Sequence, residues 1–132
     1  MVQILTPRHQ LGPTSVEYLD VAKTEAHGLL TPAQYAYVVR NVRELAQWPD
    51  APDWLWVEPI DEFYELKLKG NVLGKINLRV YFGQIPGRRT VVLVGVYKKE
   101  AEGKVPRHIV LKMRNRYRAV LQVYKVAPTR KV

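Results

Sequence analysis

The sequence predicts an α+β fold, with an N-terminal helical hairpin packed on a small antiparallel β-meander and followed by a basic C-terminal helix. Three observations predict it. Apolar residues recur at helical spacing over residues 14–47, switch to a period of two from Phe63, and return to helical spacing after Pro106. The chain has 132 residues, 47% of them hydrophobic, which suits one core and is too short to divide comfortably. A single domain over 1–132 is expected, with 124–132 as a flexible arm or tail.

Taken in order, Val2 to Leu5 is a short apolar run stopped by Pro7 and reads as a first edge strand. Thr14 or Ser15 caps a helix in which Val16, Leu19, Ala22 and Ala26 share a face, ending at Gly28. Thr31 and Pro32 start a second helix, with Tyr35, Val38, Val39, Val42, Leu45 and Ala46 as its apolar stripe and an end near Gln47. The tight connection between them makes an antiparallel hairpin whose stripes need a sheet to cover. Residues 48–60 hold three prolines and three tryptophans and read as an irregular packed loop. Trp48, Trp54 and Trp56 are expected to cap the core, with base stacking as the alternative use of one of them.

From Phe63 the pattern alternates. Tyr64, Leu66 and Leu68 point one way, and Glu65, Lys67 and Lys69 the other. After a turn at Gly70 to Gly74, Ile76, Leu78, Val80 and Phe82 point inward, and Lys75, Asn77, Arg79 and Tyr81 outward. The run Val91 to Val96 is apolar except for Gly95 and reads as a central strand, with Val92, Val94 and Val96 on one side and Gly95, Tyr97 and Lys99 on the other. Pro106 opens the last helix, where Ile109 or Val110, Met113, Tyr117 and Val120 or Leu121 form the apolar stripe and Arg107, Arg114 and Arg118 lie on another face. Beyond Leu121 the chain reads as a further strand or an extended arm.

Charge points to function. Residues 1–63 carry four Lys/Arg against nine Asp/Glu, and residues 64–132 carry 17 against three, so the net +9 belongs to one half. A solvated sheet face normally mixes signs, but on the outward face of the first two meander strands only Glu65 is acidic. That sign bias favours a surface for phosphate over a merely wet one. No cysteine is present, which excludes disulfides and thiolate metal sites. His9 and His27 lack partners in the pattern, so no metal or cofactor is expected. Pro7, Arg8 and His9 interrupt the opening apolar run and nothing approaches transmembrane length, so a soluble cytoplasmic chain is expected. No phosphate-loop, nucleotide-binding or serine-nucleophile motif is present.

The runs YELKLKG, LRVYF, VVLVGVYKKE and KVPRHIVLKMRNRYRAVL, in that order, resemble the RelE superfamily of toxin-antitoxin toxins, especially its HigB-like and phage-derived branch. The resemblance covers about residues 62–121 and, in outline, the two helices before them. It implies a RelE-like fold and an endoribonuclease that cleaves messenger RNA, commonly on the ribosome, and is held inactive by a cognate antitoxin. Such cleavage requires in-line attack by the 2′-hydroxyl, stabilisation of a dianionic phosphorus and protonation of the leaving 5′-oxygen, with no metal. Arg79 and Lys99 are assigned to the phosphate, Lys67 and Lys69 to proton transfer and backbone positioning, and Tyr97 or Tyr81 to base stacking or proton relay. Lys75, Tyr81, Lys98, Arg107, His108, Arg114 and Arg118 are the further RNA-binding candidates, with His108 also a candidate acid–base group. Glu65 is either a general base or, more simply, the partner of a neighbouring lysine. This chain departs from the family pattern at Lys67, where an arginine is common, and at Val94 to Val96, where a histidine, glycine and phenylalanine are common. Its loop before Pro106 is also longer. Two alternatives stand beside the RNase: a toxin of this fold that acts by binding, as gyrase inhibitors do, and a non-catalytic nucleic-acid-binding module.

Overall fold

Alternating β-branched and aromatic residues occupy the middle of the chain, and the sheet forms there. β3 (Phe63–Lys69), β4 (Asn77–Ile85) and β5 (Thr90–Lys99) pair antiparallel as a meander. The structure, a computed structural model, describes residues 15–99 and 103–124. Two more strands extend the meander. β1 (Ser15–Tyr18) runs parallel beside β5, and β2 (Trp56–Ile60) antiparallel beside β3, giving the order β1-β5-β4-β3-β2. With α1 (Asp20–Leu29), α2 (Pro32–Arg43) and α3 (Arg107–Val123), the class is α+β with a five-stranded mixed sheet.

Both added strands correct the sequence reading. The first helix does not start at Ser15; residues 15–18 are extended, held by the Ser15 N–H donating to the Arg89 carbonyl and by a 3.0 Å hydroxyl contact between Ser15 and Thr90. The sequence reading puts residues 48–60 in one irregular loop, but its last five form β2. Pro59 is tolerated because β2 is an edge strand, with an open side that needs no N–H. Trp48 does cap the core, edge-on to Tyr64 and Phe82 at 4.9 and 5.3 Å between ring centroids. Trp54 and Trp56 do not, remaining 64% and 50% exposed. The chain past Leu121 is neither strand nor arm at first, since α3 continues through Val123. The expected Val2 to Leu5 strand and residues 125–132 lie outside the described residues.

The sheet is covered on both faces. Leu66, Leu68, Leu78, Val80, Phe82, Leu93 and Val96 pack with Ala26, Leu30, Val38, Val42 and Leu45 from the helical hairpin. Thr31 starts α2 with a capping box, accepting from the Gln34 N–H while Gln34 Oε1 accepts from the Thr31 N–H. On the other face, Ile109, Met113, Tyr117 and Val120 of α3 cover Phe63, Tyr81, Ile85, Val92 and Val94.

A β-bulge decides which β5 residues face which helix. Tyr81 pairs with Gly95 and Phe82 with Leu93, so Val94 is the extra residue. The alternation therefore breaks there. Val92 and Val94 join the α3 side, and only Val96 of that predicted trio stays on the hairpin side. Gly95 and Gly83 let α3 approach: a Cβ at Gly83 would collide with the Tyr117 ring, and one at Gly95 with Met113 and Arg116. Tyr117, in that contact, donates its hydroxyl to the Gln84 carbonyl. Burial first, and then the nearby Glu62 and Tyr64 charges, push its phenol up to about 12.

Candidate functional site

α3 covers only part of its sheet face, and a cleft of about 410 Å³ opens where that cover stops. Its polar wall comes from four adjacent strands and one loop: Glu58 of β2, Glu65 and Lys67 of β3, Arg79 of β4, Lys99 of β5, and Lys104. Ile60, Val105 and Val110 make the apolar side. Register explains the assembly. Trp56 stands opposite Lys67, Lys67 opposite Arg79, and Arg79 opposite Tyr97, so one row across the sheet reads aromatic, cation, cation, aromatic.

Arg79 is the most constrained of these groups. It is only 9% exposed, lies 3.6 Å through Nε from Glu65 Oε2, and donates through Nη1 to Asn77 Oδ1 at 2.7 Å. The Nε contact is too long for a hydrogen bond, and this buried nitrogen has no hydrogen-bond partner. Glu65 is itself buried and accepts a 2.7 Å hydrogen bond from the Tyr81 hydroxyl. Burial, reinforced by that bond to a carboxylate, holds the Tyr81 phenol far above its ordinary value, so Tyr81 stays protonated. Lys67 Nζ lies 2.9 Å from Glu58 Oε1. The hydrogen bond from Lys67, then its charge and the neighbouring Trp56 indole, outweigh desolvation and hold the Glu58 carboxyl below the usual carboxylate range. Glu58 is therefore ionised at neutral pH.

The cleft brings together Lys67, Arg79 and Lys99 of the expected catalytic set. It does not include Lys69, which is exposed further along β3 with its Nζ 5.6 Å from the Trp56 ring centroid. Tyr97 closes the row beyond Arg79 but lines, with Lys98, a separate groove beside α1. Tyr81 is wholly buried beneath α3, which corrects the expected base stacking or proton relay: its hydroxyl donates a hydrogen bond to Glu65. Lys75 is exposed, and Arg107 and His108 lie at the exposed start of α3, with His108 facing another groove beside Lys112.

The α3 arginines correct a second expectation, that of a basic face offered to RNA. Arg114 pairs with Asp61 at 3.0 Å and Arg118 with both oxygens of Glu62. These acids form the two-residue turn between β2 and β3, so both arginines tie α3 to the sheet. Arg116, which sequence reasoning passed over, reaches the Glu25 carboxylate of α1 with two nitrogens and the Val94 carbonyl with one. Burial raises the Glu25 carboxyl, but the Arg116 bond and charge, the Val96 N–H and Lys112 together hold it below its ordinary value. Lys104 and Glu58 are the cleft residues that the sequence did not reveal, because one lies in a loop and the other in a strand without a recognisable turn.

Among the described residues no group of acids and histidines is placed to hold a metal ion, and no helix is long and apolar enough to cross a membrane. No protein-family profile matches the chain, and no curated protein matches it. Among solved structures it is similar to the RelBE2 toxin-antitoxin complex of Mycobacterium tuberculosis, at 18% identity and a TM-score of 0.49, over 67% of this chain and 93% of that one. A likeness at that level identifies no family.

Proposed function

We propose that this protein is a RelE-type toxin that cleaves messenger RNA without a metal, in the cleft between β2–β5 and the start of α3. The observation that carries the reading is the convergence of Lys67, Arg79, Lys99 and Lys104 on one concave site beside two carboxylates. Four cations against two acids leave the site positive, and the Arg79 guanidinium that lines it suits a phosphate oxygen. The sequence resemblance over residues 62–121 supports the same reaction class.

In this reading Arg79 and Lys99 hold the scissile phosphate, and Asn77 and Glu65 fix the Arg79 fork. Glu58, ionised beside Lys67, takes the proton of the attacking 2′-hydroxyl, and the Lys67 ammonium gives one to the leaving 5′-oxygen. The 2′-oxygen–phosphorus bond forms as the phosphorus–5′-oxygen bond breaks, leaving a 2′,3′-cyclic phosphate and a 5′-hydroxyl. A cognate antitoxin is the expected inhibitor, and the ribosome the expected setting.

Incubation of the purified protein with messenger RNA, with and without programmed ribosomes, tests this by primer extension. Cuts that disappear in Lys99→Ala and Arg79→Ala are expected. RNA that stays intact in both conditions, from a protein that still arrests growth, would replace cleavage by a binding-only toxin.

A further inference from the structure

Packing leaves Trp56 unexplained. A tryptophan that serves the core is largely buried, yet Trp56 is 50% exposed on an edge strand. It is nevertheless held in place. Its indole lies beside the Glu58 carboxylate and favours the ionised form, and Glu58 binds Lys67 at 2.9 Å. Lys67 and Lys69 place their ammonium groups 4.5 and 5.6 Å from the ring centroid. The more exposed Trp54 lies elsewhere, beside Arg40, Asn41 and Glu44.

Register puts this fixed ring next to the cleft. Trp56 opposes Lys67, and Lys67 opposes Arg79. Neighbouring strands are spaced by about 4.8 Å, so the ring stands one strand from Lys67 and two from Arg79, within the reach between a nucleobase and its own phosphate. The surroundings favour that occupant. An aliphatic partner would need an apolar border, whereas this ring is bordered by Lys67, Lys69 and Glu58. An acidic peptide would draw the lysines off the ring but meet Glu58 and leave the uncovered ring idle. A nucleotide uses both, because its phosphate draws the cations from the ring and its base stacks in their place.

We propose that Trp56 is a stacking platform for one base of single-stranded RNA, that of the nucleotide next to the phosphate held by Arg79 and Lys99 beside the Lys67 ammonium. The inference rests on the RNA reading of the cleft and adds to it a base subsite on β2. Because every base has a π-face, the platform positions the strand with little sequence preference.

The test is the binding of a short, unstructured 2′-O-methyl RNA, which cannot be cleaved, followed by fluorescence anisotropy at several salt concentrations. Trp56→Ala is expected to raise Kd roughly five- to hundredfold with the salt slope unchanged, since no phosphate contact is lost. Trp56→Phe is expected to recover most of the affinity. Lys67→Ala is expected to reduce the slope by about one. If Trp56→Ala binds as tightly as the wild type while Lys67→Ala binds more weakly, the platform is wrong and the phosphate cleft stands. A Trp56→Ala loss that appears only as a reduced salt slope would also overturn it, by showing that the ring acts through the lysines. Absence of wild-type binding would remove both readings.

Discussion

Gly83 and Gly95 are the positions at which single atoms decide whether α3 can seat. A methyl group at Gly83 meets the rigid Tyr117 ring, whereas one at Gly95 meets the flexible ends of Met113 and Arg116. Both alanine variants are expected to be destabilised by about 1–3 kcal/mol in chemical denaturation, with Gly83→Ala the worse. At the cleft, Lys99→Ala is expected to abolish cleavage without unfolding the chain, while Arg79→Lys keeps the charge but loses the planar fork and should retain only a small fraction of activity. The polarity of Arg79, Tyr81 and Glu65 was legible from alternation. Their burial was not, because alternation names a face and says nothing of the helix that covers it.

At the scale of elements, α3 is a strut that Arg114, Arg116 and Arg118 tie to acids elsewhere in the fold. Arg118 is exposed and bound to Glu62, so Arg118→Ala is expected to leave both the unfolding midpoint and RNA affinity nearly unchanged. Glu25→Ala is a different matter. It leaves the half-buried Arg116 without its carboxylate, and a loss of about 1–3 kcal/mol is expected by thermal or denaturant unfolding. The helices and the first two meander strands were readable because each keeps one period over its length, and Gly or Pro marks the turns after β3 and β4 and the start of α3. β2 was not, since Pro59 reads as a breaker and the Asp61–Glu62 turn lacks the Asn-Gly type of signal. The bulge at Val94 was equally hidden in a run of valines, and only pairing with Tyr81 and Phe82 locates it.

For the whole molecule, the charge asymmetry between the two halves of the chain is partly neutralised by folding. Glu25, Glu58, Asp61 and Glu62 come from the acidic half and pair with Arg116, Lys67, Arg114 and Arg118 from the basic half. Glu25, Glu58 and Glu62 all have carboxyl groups held below their ordinary value in the folded state. Their contribution to stability is therefore present above about pH 4.3, the unfolded value, and lost as pH falls through the folded values. The melting temperature is expected to drop between pH 5 and pH 3, and to drop less in Glu25→Gln. The cleft keeps four cations against two acids, and the central claim is that it holds an RNA phosphate during attack by the neighbouring 2′-hydroxyl. The chemistry of the cut ends tests that claim most directly, with cleavage run in excess chelator and the termini identified enzymatically. The account predicts 5′-hydroxyl and 2′,3′-cyclic phosphate ends, formed without metal and absent in Lys99→Ala. Ends bearing a 5′-phosphate, or cutting that requires a divalent ion, would contradict it.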